Sequence, residues 1–263
     1  MIWIEEIFVM MQSNNLVYVA NAGVLINIDG KKVLIDGLNN AAYPLYKSTP
    51  LEISKQITEG ISPFDHIDVM LITHNHSDHF DVESVVRFLN NNSDAAVIST
   101  NEVVSAIKKQ ISDFLEERLI EIPLENKCEK RIQVKGIDIV AFSLAHDGIE
   151  HTEVHNLAFL IDGSKKVLHL GDGAPKKENY EALQLNQYKI DLLIANFPYV
   201  SLPSARNIIE EYIKPKKIAV VHLPYRELDR FGWIHSAKKS YDRVKASFVV
   251  TEFLEDIGAS IEL

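Results

Sequence analysis

Three histidines and an aspartate fall within six residues in His74-Asn75-His76-Ser77-Asp78-His79, directly after the apolar run Asp68–Thr73. Such a run reads as a buried strand, and the residues beyond it leave the sheet at its carboxyl end, where open α/β sheets gather ligands. In a tight turn His74 and His76 can converge on one ion, while Asp78 and His79 face a second. Imidazole and carboxylate suit zinc, and also manganese or iron. An accidental polar loop is a poor account of this segment, because histidine is a minority residue and three so close together after a strand are chemically specific.

Four ligands do not complete two metal sites, so other strand ends must supply more. His146 follows Ile137–Ala145, Asp172 follows Val167–Gly171, and His222 follows Lys217–Val221. A carboxylate can bridge two cations, which would let Asp172 hold a pair roughly 3.5 to 4 Å apart around a hydroxide.

The elements that must position these residues are legible as apolar runs between turn signals. Strands are predicted at Val24–Ile28, Lys32–Ile35, Asp68–Thr73, Ala96–Ser99, Ile137–Ser143, Leu157–Ile161, Lys166–Leu170, Asp191–Ala195 and Lys217–Val221. Helical spacing marks Val82–Asn90, Asn101–Gln110, Pro203–Ile213 and Ser236–Lys245, with Asp81, Thr100 and His235 or Ser236 near their starts. The class is therefore α/β. An internal echo links Val24–Asp36 with Ala158–Asp172: each reads as a hairpin whose second strand leads to an aspartate. The runs at Asp68 and Asp191 correspond in the same way. Two similar halves, 1–140 and 141–263, are suggested, and no Pro/Gly/Ser linker separates them, which favours one domain over 1–263.

The order HxHxDH, a histidine, an aspartate in Gly-Asp and a last histidine resembles the metallo-β-lactamase superfamily, from the hairpin ending at Asp36 to His222. The resemblance implies a four-layer αββα sandwich, an α+β arrangement with a dinuclear site at one edge of two sheets. It also implies roles: His74, His76 and His146 on one metal, Asp78, His79 and His222 on the other, Asp172 bridging, and Asp36 as a nearby acid. His151 and His155 lie close to His146 and remain alternatives to it; the strand-end position favours His146. His169 is expected to support the site rather than ligate, and His66 and His235 to be exposed or capping.

The 263 residues carry a net charge of −10, with 46% hydrophobic and 24% charged residues. This balance is globular, and it disfavours nucleic acid or an anionic membrane as a partner. The single cysteine, Cys128, rules out an internal disulfide, so a reducing cytoplasm is the simplest compartment. The N-terminal MIWIEEIFVMMQ has no basic region and is broken by Glu5 and Glu6, unlike a signal peptide. No run approaches the ~18 apolar residues of a membrane span.

The expected function is metal-dependent hydrolysis of a small-molecule ester, lactone or phosphodiester by a hydroxide held between two divalent ions, zinc foremost. Asp78 and Asp36 are the candidate catalytic acids, with Asp78 or a water assisting proton transfer. Competing readings are a non-catalytic metal-binding or regulatory protein and, further back, a nuclease. A homo-oligomer is compatible with all three. Within the superfamily the chain is most similar to ascorbate-6-phosphate lactonase-like proteins, through HxHxDHxD and His169-Leu-Gly-Asp172. Asn21-Ala22-Gly23 stands where such relatives often carry a histidine, so a substrate contact is expected to be missing. Asn75, Ser77, Asn196, Tyr199, Tyr225 and Arg226 are candidates for orienting substrate, Arg226 foremost as a binder of phosphate or carboxylate.

Overall fold

A computed structural model of the chain describes residues 14–123, 129–151 and 153–263. The expectations for Cys128 and for the N-terminal MIWIEEIFVMMQ lie outside the described residues. The first sheet uses β1 (Asn15–Ala20), β2 (Gly23–Ile28), β3 (Lys31–Ile35), β4 (Val69–Leu71), β5 (Ala96–Ser99) and β6 (Leu119–Glu121). The second uses β7 (Glu129–Val134), β8 (Ile137–Ala145), β9 (His155–Asp162), β10 (Lys166–His169), β11 (Leu192–Asn196), β12 (Lys217–Val221) and β13 (Val250–Phe253). The last strand, β14 (Ser260–Glu262), returns to pair with β1, so the sheets run β14-β1-β2-β3-β4-β5-β6 and β13-β12-β11-β10-β9-β8-β7.

Both sheets follow one pattern. From β14 and from β7, three antiparallel pairings are succeeded by three parallel ones. The two hairpins that echo each other in sequence, β2-β3 and β9-β10, occupy the same places in this order. Their turns also touch: the Ser164 amide donates to the Asp29 carboxylate at 2.7 Å. Residue 140, the midpoint suggested by sequence, falls inside β8.

The apolar runs are continuous because the central strands are covered on both faces. Val24, Ile26, Val33 and Ile35 meet Leu157, Phe159 and Ile161 in the core between the sheets. Alternate residues point outward, as the two-residue period of a strand requires. Leu25 and Leu34 pack under α1 (Leu51–Glu59), α2 (Val82–Asn91) and α3 (Asn101–Lys108). On the other sheet, Leu160 and Leu168 pack with α4 (Pro203–Ile208) and α5 (Trp233–Asp242). The four layers are thus α, β, β and α.

Some boundaries differ from the sequence reading, for local reasons. The strand expected at Asp68–Thr73 pairs only as β4, because the Thr73 amide turns to the Asp36 carboxylate at 2.8 Å. Asp81 and Thr100 do cap α2 and α3. The cap expected at His235 or Ser236 instead lies upstream: Gly232 is the N-cap, and the Asp229 carboxylate accepts the Trp233 and Ile234 amides at 2.9 Å each. The helix expected over Pro203–Ile213 is α-helical only in α4 and continues as a π turn over Ile209–Ile213. Helix α1 escaped the sequence reading because only Ile57 and Thr58 of its residues are buried. No helix among the described residues is long and apolar enough to cross a membrane.

Candidate metal centre

The carboxyl ends of β3, β4, β10, β11 and β12, with the end of β8, open on one edge of the sandwich. Ligand atoms of His74, His76, His146 and Asp172 lie within 4.8 Å of one another, as do those of Asp78, His79 and His222. These are the seven residues that the sequence and its resemblance assigned to metal. Asp172 touches both groups: Oδ1 is 3.3 Å from His79 Nε2, and Oδ2 is 3.4 Å from His222 Nε2 and 3.6 Å from His146 Nε2. The loops that carry them are tied together by backbone bonds. Asp147 N–H donates to the Asp172 carbonyl and Ala174 N–H to the Ala145 carbonyl, both at 2.8 Å, so the His146 and Asp172 loops form one unit.

Hydrogen bonds behind the rings assign their tautomers. The Thr73 hydroxyl donates to Asp36 Oδ2 at 2.7 Å, so its lone pair accepts Nδ1–H of His74 at 3.0 Å. His79 Nδ1–H donates to Asp36 Oδ2 at 2.8 Å, and His146 Nδ1–H to the Asp147 carbonyl at 2.5 Å. Each bond places the hydrogen on Nδ1 and turns Nε2 to the centre, the orientation a ligating histidine needs. His74 and His146 then bring two Nε2 atoms within 3.3 Å. Two converging lone pairs repel unless a cation lies between them. His79 Nε2 and His222 Nε2 are buried without a hydrogen-bond partner among the described residues. A divalent cation fits this donor set, and its identity is not encoded in the geometry.

Electrostatics agrees with that reading. Burial pulls His74 well below its ordinary value and, with the neighbouring imidazoles, lowers His76 to about 4; burial also lowers His146. These three rings are neutral, as ligands must be. His79 and His222 are opposed by burial but drawn up to about 10, chiefly by Asp172, with Asp36 and Asp78 adding to one each. Asp172 and Asp78 are held below the carboxylate range against burial, through His222 and His79. In the cation-free chain protons supply positive charge that metal would supply when bound.

Several supporting residues come from outside the sequence motif. Asn21 is fully buried; its amide donates to Asp78 Oδ2 and to the Asp78 carbonyl, both at 3.0 Å, and its carbonyl accepts the His222 amide at 2.9 Å. It does not line the cavity, and its bonds hold ligands. Asn156 accepts the Asp172 amide at 2.9 Å and donates to the Leu170 carbonyl at 3.1 Å. His169 donates through Nε2 to the Ala22 carbonyl and accepts the Gly171 amide, both at 2.9 Å, the supporting role expected of it. Gly171 has φ +56°, and a Cβ there would stand 2.3 Å from Asn156 Oδ1. Asp36 accepts from Thr73 and His79 and is absent from the cavity wall, so it orients ligands rather than meeting substrate.

The centre opens into a cavity of about 430 Å³. Ser77 and Asn196 line it, and the Asn196 amide donates to Asp172 Oδ1 at 3.1 Å. Tyr46, unnoticed in the sequence, sets its ring 4.5 Å from His222; burial first, then Asp172 and Asp78, push its phenol up to about 12. His151 also lines the wall, with its ring 4.7 Å from His76, but stands outside both ligand groups. His155 pairs with Glu102 at 2.5 Å, away from the cavity. His66 and His235 are exposed. Arg226 corrects the sequence reading most: it pairs with Glu255 at 3.0 Å and, with Tyr225, lines a different cavity. Tyr199 is buried against Tyr180 and the Gly173 carbonyl, and Asn75 is exposed off the wall. None of these four lines the cavity over the centre.

Residues 15–197 match the family model described as the beta-lactamase superfamily domain. A UPF0173 protein of Pyrococcus furiosus is 32% identical over 169 residues, covering 62% of this chain and 70% of that one. Among solved structures, Igni18, a metallo hydrolase from Ignicoccus hospitalis, superposes with a TM-score of 0.65 at 16% identity, over 96% of this chain and 99% of that one. A possible metal-dependent hydrolase from Veillonella parvula gives 0.65 at 14% identity, over 95% and 100%.

Proposed function

Because the chain belongs to the metallo-β-lactamase superfamily, we propose that it is a metal-dependent hydrolase acting on a small-molecule ester or lactone, with phosphodiesters as a further class. The observation that carries this reading is the Asp172 carboxylate, which touches both ligand groups and so suits a pair of cations sharing one edge. His74, His76, His146 and Asp172 would hold one ion, and Asp78, His79, His222 and Asp172 the other, with zinc the first candidate. When bound, such a pair acidifies water and polarises the bond to be cut. Asp36 and Asn21 keep His79 and Asp78 aimed at the centre, and Asn196 holds Asp172. The phenol of Tyr46, neutral throughout the physiological range, orients a substrate oxygen beside His222. Asp78, or a water beside it, would assist proton transfer.

The resemblance to ascorbate-6-phosphate lactonase-like proteins supports lactones and esters as the first substrates to test; the UPF0173 relatives carry no substrate in their name. The matched strand order of the two sheets supports one domain made of two similar halves. A nuclease is disfavoured because, among the described residues, no lysine or arginine lines the cavity.

The test is reconstitution of the chain with zinc, manganese or ferrous iron, metal analysis, and turnover on esters, lactones and phosphodiesters. Turnover that requires metal and disappears in His76→Ala and Asp78→Ala is expected. Stoichiometric metal without turnover on any member of the panel would favour the non-catalytic metal-binding reading instead.

A further inference from the structure

The wall of the cavity above the ligand cluster is an aromatic collar. Phe197, which follows Asn196, stacks on Trp233 at 5.5 Å and 25°, and Trp233 stacks on Phe231 at 5.0 Å and 20°. The Arg230 guanidinium lies over Phe231 at 5.0 Å and donates to the Tyr43 hydroxyl at 3.3 Å. Tyr43 meets Tyr46 at 6.0 Å, and Tyr46 meets His222 at 4.5 Å. The chain of contacts therefore runs around the mouth from one side of the ligand cluster to the other, with Arg230 and Tyr43 as its clasp. Phe197, Trp233 and Tyr46 are half-buried and line the cavity.

Away from the ligand cluster, the charged side chains of the wall are acidic. Asp147 and Glu150 line the cavity, and among the described residues no lysine or arginine does. Of the cations nearby in the fold, Arg226 and Lys238 pair with Glu255, Lys47 donates to the Glu255 carbonyl at 2.8 Å, and Arg230 lies over Phe231 and donates to Tyr43 without lining the cavity. An anionic group on the substrate seated against Phe197 and Trp233, remote from the bond that reaches the metal ligands, would face Asp147 and Glu150 and ring faces, with no lysine or arginine of the described lining to pair with it. A flat, uncharged group would find rings to stack on.

We propose that the substrate carries an uncharged aromatic or otherwise planar apolar arm seated against Phe197 and Trp233, and that substrates bearing a remote phosphate are rejected. This specificity rests on the hydrolytic reading of the same site. It departs from what a phosphorylated-sugar substrate would need.

The test uses matched esters or lactones on one scaffold, one with a phenyl arm and one with a phosphorylated arm, assayed on the metal-loaded protein. The phenyl substrate is expected to have the higher kcat/KM, by about tenfold or more. Trp233→Ala should raise its KM roughly tenfold, with a smaller change in kcat and the same metal content, and Trp233→Phe should restore most of it. Equal or better turnover of the phosphorylated substrate overturns the proposal, as does a Trp233→Ala effect equal on both. Binding separates the two readings if neither substrate is cut. In a Trp3→Phe background, phenylacetamide should quench Trp233 fluorescence at concentrations where its ring-phosphorylated analogue does not. Selective quenching without turnover defeats the hydrolytic reading and keeps the collar as a binding site for neutral aromatics; equal quenching defeats the specificity itself.

Discussion

The amide of Asn21 donates to Oδ2 of Asp78 at 3.0 Å across 57 residues of sequence. The same residue accepts the His222 amide on its carbonyl, so one buried side chain and its backbone position two ligands of the second group. On the proposed two-ion reading, Asn21→Ala should weaken the affinity for the ion at Asp78, His79 and His222 by about 10 to 100-fold while sparing the other, as loss of a ligand-orienting partner does. Asn21→Asp should be worse, because it sets a second carboxylate against Asp78. Calorimetric metal titration reads both; equal weakening of the two ions in either variant would argue against this role.

Asp36 illustrates a buried acceptor that serves three donors, the Thr73 amide and hydroxyl and His79 Nδ1. Asp36→Ala strands these donors and should cost roughly 2–5 kcal/mol in urea unfolding of the metal-free chain. Asp36→Asn keeps the volume but presents one donor among acceptors' former positions. It should lose less stability and still reduce metal affinity, since the tautomer of His79 is no longer held.

Two glycines with left-handed backbone form an internal control. Gly171 (φ +56°) has Asn156 Oδ1 and Thr73 Cβ where a Cβ would go, at 2.3 and 2.8 Å, whereas Gly232 (φ +66°) has nothing within 4 Å. Gly232→Ala should cost about 1–2 kcal/mol from backbone conformation alone. Gly171→Ala adds overpacking of about 1–3 kcal/mol and displaces the Asp172 loop. Thermal unfolding with metal analysis should show metal loss only for Gly171→Ala.

Lys47 is 3% exposed, and burial pulls its amine from 10.5 down to about 8. Between those values the unfolded chain binds more protons than the folded one, so this residue's contribution to stability rises with pH across the window and is lost as pH falls through 8. The full change is about 3 kcal/mol. Lys47→Met removes the dependence. Its stability relative to the native chain should therefore be greatest near pH 7.5 and fall as pH approaches 10.5, measured by urea unfolding of the two proteins without metal. A difference independent of pH would show that the amine is not desolvated as the fold implies.

What the sequence determined by itself is the set of ligand types and their place at strand ends. His74 to His79 follow a strand, and His146, Asp172 and His222 each end one. Strand periodicity is a local property, so the point where a chain leaves a sheet can be read without knowing its neighbours. The resemblance to a family added the sandwich and the grouping of the ligands, and the four-layer architecture is the one found. Caps at Asp81 and Thr100 were legible for the same local reason.

Only the tertiary structure decided which residues stand behind and above the ligands. Asn21, Asn156 and Tyr46 have no motif, because each acts through a partner distant in sequence that strand pairing brings near. Arg226 looked apt from its nearness to His222, yet the turn after β12 aims it at Glu255 in another cavity. The collar of Phe197, Trp233, Phe231 and Tyr43 joins loops from both sheets, and Asp229 sets its position by starting α5 three residues earlier than the helical pattern suggested. Ligand chemistry is written in short segments; the shape and charge of the space above it depend on how loops from distant strands close together.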